Sequence, residues 1–483
     1  MGLKSVLKKV GTSKEIKASA AYMISSILQR SLSLITMPIF TRILSTSENG
    51  VNTVYVSTMA IIIIFVSLQL PYGSFSTAMI KFENDRDGYI SSVCGITTFL
   101  TIIYFIVYLL FKDFWDTWLN IPSILMILMG IEMLASTSQL LWMGKARFEY
   151  KYKPVVILTL FTSITATVCS VAAIFCFTER AVARVIAHSV VISAIGLILY
   201  FKQVIKGKKF IDKKYWKYAL SFNIPLIPYY LSQVVFNQSD RLMIDRMVGR
   251  GEAAIYGVAY SLAFILTFVV NAINNSYVPW MYRKIKSNDT EKIKSVSLAI
   301  AIIVAVLIIG VVSLAPEIIM VMGGEKYSSA IWIVPPVSMS LLLLFYAQMF
   351  INIEFYYEEK NKLLLPSALS AITNVVLNII FIKRYGYIAA GYTTLASYIL
   401  FAFLNYLSMK KICEERKLDF KIYDYKKLWI TLLVAMMVAI VCLILYPYRL
   451  LRLSVFTVVL LLLVIFRNKI MNIIKRYREE YGI

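Results

Sequence analysis

The sequence predicts an all-α polytopic membrane protein of about fourteen transmembrane helices, two six-helix bundles related by an internal repeat plus a C-terminal helix pair. Three observations carry that prediction. Of the 483 residues 59% are hydrophobic and 16% charged, whereas a soluble domain sits near half apolar and a quarter charged. Apolar runs recur along the chain at lengths that cross a bilayer core of about 30 Å, and backbone in lipid must satisfy its own hydrogen bonds, so each run is a helix. Lys and Arg fall in short clusters between these runs, as the positive-inside rule requires.

A window of about 19 residues places spans near 18–41, 52–72, 89–111, 119–142, 155–177, 182–201, 218–240, 253–277, 295–315, 329–353, 364–382, 387–408, 428–446 and 451–466. Pro122 and Pro316 interrupt the fourth and ninth, and Pro447 couples the last two closely. Residues 1–17 form a basic amphipathic tail without the features of a cleavable signal peptide, so the first span is expected to act as its own insertion signal. The bundles are expected at 18–201 and 218–408, with basic cytoplasmic segments at 202–217 and 409–427. The helix pair follows at 428–466 and a cytoplasmic tail at 467–483. With both termini inside, the inner segments hold 37 Lys and Arg and the outer loops 12, Arg30 lying within the first span. That excess fixes the expected orientation and the even span count.

Several classes are argued against. The net charge of +23 suggests nucleic acid, but its distribution between spans is that of membrane topology. Five scattered cysteines without a CxxC pair support neither a zinc site nor a disulfide framework. Asp85-Arg86-Asp87 has a DxD pattern yet reads as a short solvated loop, since a metal needs converging ligands. No metal or cofactor is expected. No loop has room for a soluble catalytic domain, so function is expected among the helices, and the protein is not expected to be an enzyme.

A weak repeat relates the halves. Thr41-Arg42-Ile43-Leu44 with Glu48 matches Asp245-Arg246-Met247-Val248 with Glu252, an offset of 204 residues. Such parallel repeats are a transporter plan, with substrate bound between halves. In span 1, Ser25, Gln29, Ser33 and Thr36 line one helical face beside Ser26 and Arg30. Their counterparts in span 7 are Tyr229, Gln233, Asn237 and Asp240, with Tyr230 and Val234 opposite the flanking pair. Either the two faces share a wet cavity or they are packing glue. Further stripes occur at Glu132, Ser136 and Gln139; at Ser367, Ser370, Asn374 and Asn378; at Asn271 and Asn275; and at Gln348 and Asn352. Carboxamides offer both donors and acceptors and suit hydroxyl-rich ligands; Tyr229, Tyr230 and Tyr346 offer stacking faces or belong to the interface belt.

Charges within spans point to function. Arg30 sits midway along span 1, where an arginine costs about 2.5–3.5 kcal/mol to insert. It suits phosphate or carboxylate oxygens, or else pairs with Glu132. Arg241 and Arg246, with Arg42, form an outward mouth or snorkel to the interface. Glu132, Asp240 and His188 are candidates for ion coupling, with Asp240 equally a partner for Arg241 and His188 equally a core residue.

The stretches LITMPIFTRILSTSENG and VYVSTMAIIIIFVSLQLPYGSFSTAMIKF resemble the start of polysaccharide-export flippases of the Wzx type. FNQSDRLMIDRMVG and AAIYGVAYSLAFI resemble the seventh and eighth helices of that family, part of the multidrug/oligosaccharidyl-lipid/polysaccharide (MOP) flippase superfamily. The resemblance implies a bacterial inner-membrane flippase that moves an undecaprenyl-diphosphate-linked oligosaccharide, an O-antigen or capsule repeat unit, by alternating access. It implies membrane lipids as surroundings and polysaccharide polymerase and chain-length proteins as partners. Expected substrate contacts are Arg30, Ser33, Thr36, Gln233, Asn237, Arg241, Arg246, Asn374 and Asn378. The rival readings are a multidrug cation antiporter or lipid II flippase of the same superfamily, and a membrane glycan polymerase, which would need a large outer loop.

Overall fold

Helix boundaries follow local capping chemistry. Ser45 and Glu48 form a capping box at the start of one span, with the Ser45 amide donating to Glu48 Oε2 at 2.7 Å, which satisfies two otherwise orphaned amides. Asp85, Asp212 and Asp424 each accept backbone amides at the start of a later helix. The prolines also act as punctuation. Pro122 caps one span and Pro316 opens a short helix, while Pro279 lies inside a helix of 37 residues.

The computed structural model describes residues 28–29, 32, 35–287, 289–357, 359, 364–416 and 422–465. Arg30, Ser33, Ser25 and Ser26, and the predicted tails 1–17 and 467–483, lie outside the described residues. Helix α1 covers 35–43, α2 Thr46–Ser67, α3 Phe75–Lys81, α4 Arg86–Leu110, α5 Lys112–Leu119 and α6 Ser123–Phe148. Then come α7 Tyr152–Cys176, α8 Arg180–Gly207, α9 Lys213–Asn223, α10 Ile227–Met247, α11 Arg250–Lys286 and α12 Thr290–Ser313. Last are α13 Ala315–Met322, α14 Val334–Tyr356, α15 Leu364–Tyr385, α16 Ile388–Glu415, α17 Tyr425–Ile444 and α18 Arg449–Ile465. Among the described residues there is no strand, and 12 helices are long and apolar enough to cross a membrane. They correspond to predicted spans 2 to 13. The first predicted span is largely outside the described residues, and the last corresponds to α18, of 17 residues.

The helices cluster into two compact units divided between Asp245 and Arg246. In the first, α8 packs against α6, α7 and α4; in the second, α16 packs against α14 and α15. Counted as spans, the pairs 4–6 and 5–6 recur as 10–12 and 11–12, which is the internal repeat expressed as packing. The outward faces are apolar: Ile157, Phe161 and Phe175 on α7 are 67%, 58% and 70% exposed. Apolar side chains outside and small polar ones inside are what lipid, rather than water, selects. Gly196 allows the closest approach, since a Cβ there would stand 2.4 Å from the Ala135 carbonyl oxygen. That contact draws α8 onto α6 beside the first unit's buried acid.

Candidate functional site

Glu132 lies in the interior of α6 and is 5% exposed. Its Oε2 accepts from Tyr55 Oη on α2 at 2.7 Å and from Ser189 Oγ on α8 at 2.5 Å, and the two hydroxyls stand 3.2 Å apart. Three helices thus converge on one carboxylate oxygen within the first unit. Hydroxyls can donate or accept by rotating, and here both donate to the carboxylate. Glu317 in the second unit differs: Arg452 Nη2 stands 2.6 Å and Arg449 Nε 3.4 Å from its Oε1, a fixed cationic setting.

Of the predicted coupling residues, His188 is exposed on α8 while its neighbour Ser189 is fully buried. The hydrogen bond to Glu132 from this turn of α8 comes from Ser189. Nearby, Arg184 lies with its guanidinium carbon 3.7 Å from the centre of the Phe40 ring and donates to Asn49 Oδ1 at 2.6 Å. These contacts join α1, α2 and α8. Asp240, on α10, is 1% exposed and engaged in polar contacts.

Gln238 and Arg241 of α10 form a polar contact with α2 within the first unit. Ser57 on α2 donates to Gln238 Oε1 at 3.2 Å, and Arg241 donates to the same oxygen. Asn237 Nδ2 donates to the Gln233 carbonyl at 2.6 Å. Thr36 is buried on α1. Arg246, exposed near the end of α10, belongs to the second unit.

In the second unit Asn374 and Asn378 are fully buried. Asn374 Nδ2 donates to Thr394 Oγ1 at 3.3 Å, Asn378 Nδ2 to Asn374 Oδ1 at 3.2 Å, and Thr393 to Asn378 Oδ1. These bonds tie α15 to α16. Tyr346 donates to the Leu428 carbonyl at 2.8 Å. A more open row joins α11 to α14. Gln348 Nε2 donates to Asn271 Oδ1 at 2.9 Å, Asn352 Nδ2 to Asn274 Oδ1 at 2.8 Å, and Asn271 and Asn275 are exposed. A cavity of about 620 Å³ in the first unit, lined by Ile43, Glu48, Ile174, Phe177 and Arg180 among others, contains none of the predicted contacts.

Asp85 and Asp87, the acids of the DxD pattern, are bound by lysines. Lys209 pairs with Asp85, and Lys145 and Lys206 pair with Asp87. Among the described residues no group of three or more His, Cys, Asp or Glu is arranged to hold a metal ion.

A family model described as "Polysaccharide biosynthesis protein" matches residues 16–285. The chain belongs to this family of MOP flippases. An "Uncharacterized membrane protein" of Haemophilus influenzae is 26% identical over 116 residues, 23% of this chain and 28% of that protein. The chain thus spans less than a third of the length of the curated relatives it matches. Among solved structures, "Lipid II flippase MurJ, inward closed conformation" gives a TM-score of 0.66 at 15% identity, covering 94% of this chain and 100% of that one. An inward-facing multidrug resistance MATE family transporter of the MOP superfamily gives 0.63 at 13%, covering 80% and 95%. At these identities the likenesses show the polytopic MOP fold that the family shares.

Proposed function

We propose that this protein is a flippase that carries a polyprenyl-diphosphate-linked oligosaccharide, an O-antigen, capsule or related repeat unit, across the bacterial cytoplasmic membrane by alternating access. Membership of the polysaccharide biosynthesis family, over residues 16–285, is the observation that carries this reading. The substrate has an anionic diphosphate, a hydroxyl-rich glycan and an apolar tail. Arg30, with Arg241 and Arg246, would meet the diphosphate or an acidic sugar through guanidinium forks. Ser33, Thr36, Gln233 and Asn237 would meet glycan hydroxyls, joined by the exposed Asn271 and its partner Gln348. Asn374 and Asn378 are held between α15 and α16 and would reach substrate only if that packing opened. Glu132, within its two-hydroxyl shell, is the favoured coupling residue; Asp240 and His188 are the others. No covalent bond is made or broken in this reading. Both termini would be cytoplasmic, and polymerase and chain-length proteins would act on the product.

The test is complementation of a deletion strain, scored for surface glycan and for protein in the membrane fraction. Arg30→Ala should abolish surface polysaccharide at normal protein level, and Arg30→Lys should retain part, since charge remains and only the fork is lost. Full activity in Arg30→Ala, or recovery in Arg30→Glu with Glu132→Arg, would remove Arg30 from the substrate site. The deletion strain should accumulate the polyprenyl-linked unit, read by mass spectrometry, and absence of that intermediate would sink the proposal.

A further inference from the structure

The corner where α8 turns into α9 carries far more positive charge than its carboxylates neutralise. Lys202, Lys206, Lys208, Lys209, Lys213, Lys214 and Lys217 are all exposed, and Asp212 is the one acid in that stretch of sequence. Asp212 is occupied by the first turn of α9, accepting from the Lys214 and Tyr215 amides at 2.9 and 3.1 Å. Lys206 reaches Asp87 at 3.1 Å and Lys209 reaches Asp85 at 2.5 Å. Lys202, Lys208, Lys213, Lys214 and Lys217 form no ion pair among the described residues. Exposed apolar side chains interleave with them: Phe201, Ile205 and Ile211 are 58%, 71% and 71% exposed.

The corner is held in place from beneath by α4. A Cβ on Gly207 would stand 2.2 Å from the Asp87 carbonyl oxygen, and one on Gly95 would stand 2.0 Å from that of Phe210. Trp216 Nε1 donates to the Ser92 carbonyl at 3.0 Å, and Tyr215 Oη donates to Asp85 at 2.6 Å. A surface fixed in this way loses little conformational freedom when it meets a ligand.

We infer that this corner is a docking surface for anionic glycerophospholipid headgroups. The ammonium groups outside ion pairs, Lys214 among them 5.7 Å from the centre of the Phe82 ring, meet headgroup phosphate oxygens as point charges, while Phe201, Ile205 and Ile211 enter the acyl boundary beside them. Charge complementarity alone would admit any polyanion. The alternation of lysine with exposed apolar side chains, at the end of a membrane-length helix, selects a lipid.

The experiment uses the full chain purified in detergent and exposed to phosphatidylglycerol or phosphatidylcholine, with retained lipids counted by native mass spectrometry. The wild type should retain phosphatidylglycerol with a preference of at least about tenfold. The variant combining Lys202→Gln, Lys208→Gln, Lys213→Gln, Lys214→Gln and Lys217→Gln should lose most of that preference. A control with Lys292→Gln and Lys294→Gln, whose ammonium groups lie 3.0 and 2.5 Å from Asp289 and Glu291, should keep it. Should the combined variant not elute as a folded species, the single variants Lys208→Gln and Lys213→Gln should each lower the preference. No preference in the wild type, an undiminished one in the lysine variants, or equal loss in the control would overturn the inference. Displacement of the lipid by inorganic phosphate at matched concentration would also overturn it, by assigning the site to free anions.

Discussion

Arg452 stands near the start of α18 with its side chain 2% exposed, its Nη2 2.6 Å from Glu317 Oε1 and its Nη1 donating to the Ser313 carbonyl at 2.8 Å. Removing one partner of a buried pair costs about 3–5 kcal/mol, because the other charge is left uncompensated. The two removals are not equivalent here. Glu317→Gln strands a guanidinium among buried groups, and the full cost applies. Arg452→Met leaves a carboxylate whose side chain is 30% exposed and still has Arg449 3.4 Å away, so solvent and a second cation compensate. The loss should then be nearer about 1.5–3 kcal/mol, the range for a hydrogen bond to a charged group. Combining the two substitutions should cost less than their sum, since neither charge remains stranded. Thermal denaturation of the detergent-purified protein, followed as the fraction eluting monodisperse after heating, ranks the variants. Equal losses, or a larger loss for Arg452→Met, would refute the reasoning.

Three other outcomes follow from the first unit. Gly196→Val should push α8 off α6 at the Ala135 carbonyl and cost about 1–3 kcal/mol; a thermal midpoint equal to the wild type's would contradict the close approach. Tyr55→Phe removes one of two donors to Glu132 and should cost about 1.5–3 kcal/mol, a loss that a Glu132→Gln background should reduce. Burial alone would raise the Asp116 carboxyl, but hydrogen bonds from Lys112, Ser123 and Tyr108 outweigh it and hold the group below its ordinary range. Its stabilising contribution is therefore present above the unfolded value of about 3.9 and lost as pH falls through the folded one. Asp116→Asn should be less stable than the wild type at neutral pH and should lose less stability below about pH 4. Parallel stability curves for the two proteins would exclude that role.

Hydropathy made the spans legible because lipid imposes one length and one secondary structure on every crossing. Pro122 and Pro316 marked real boundaries, and the repeat announced the recurring packing of spans 4–6 and 10–12. Contacts between distant helices were harder to read. Glu132 stood out as the lone acid of its span, but Tyr55, 77 positions away, looks from sequence like one more aromatic in an apolar run. Ser189, the second donor to Glu132, is 57 positions from it and carried no signal of its own in the sequence. A serine in an apolar helix reads as packing until the acid it bonds is in place. Asn374 and Asn378 show the limit of polar stripes, since one spacing serves a wet cavity and helix-to-helix bonding alike. Their bonds to Thr393 and Thr394 become visible only once α16 is in place.

The central claim is translocation of a lipid-linked glycan, and its most direct test is flipping by the purified protein. Proteoliposomes would hold a polyprenyl-diphosphate-linked oligosaccharide in both leaflets, and a membrane-impermeant glycosidase added outside would report the accessible fraction. With the wild-type protein, lipid that is shielded in protein-free vesicles should become accessible over time, and Arg30→Ala should slow this at equal reconstitution. If the shielded fraction stays at its protein-free level with the wild-type chain, while the vesicles remain sealed and the protein folded, the protein is not a flippase for such substrates.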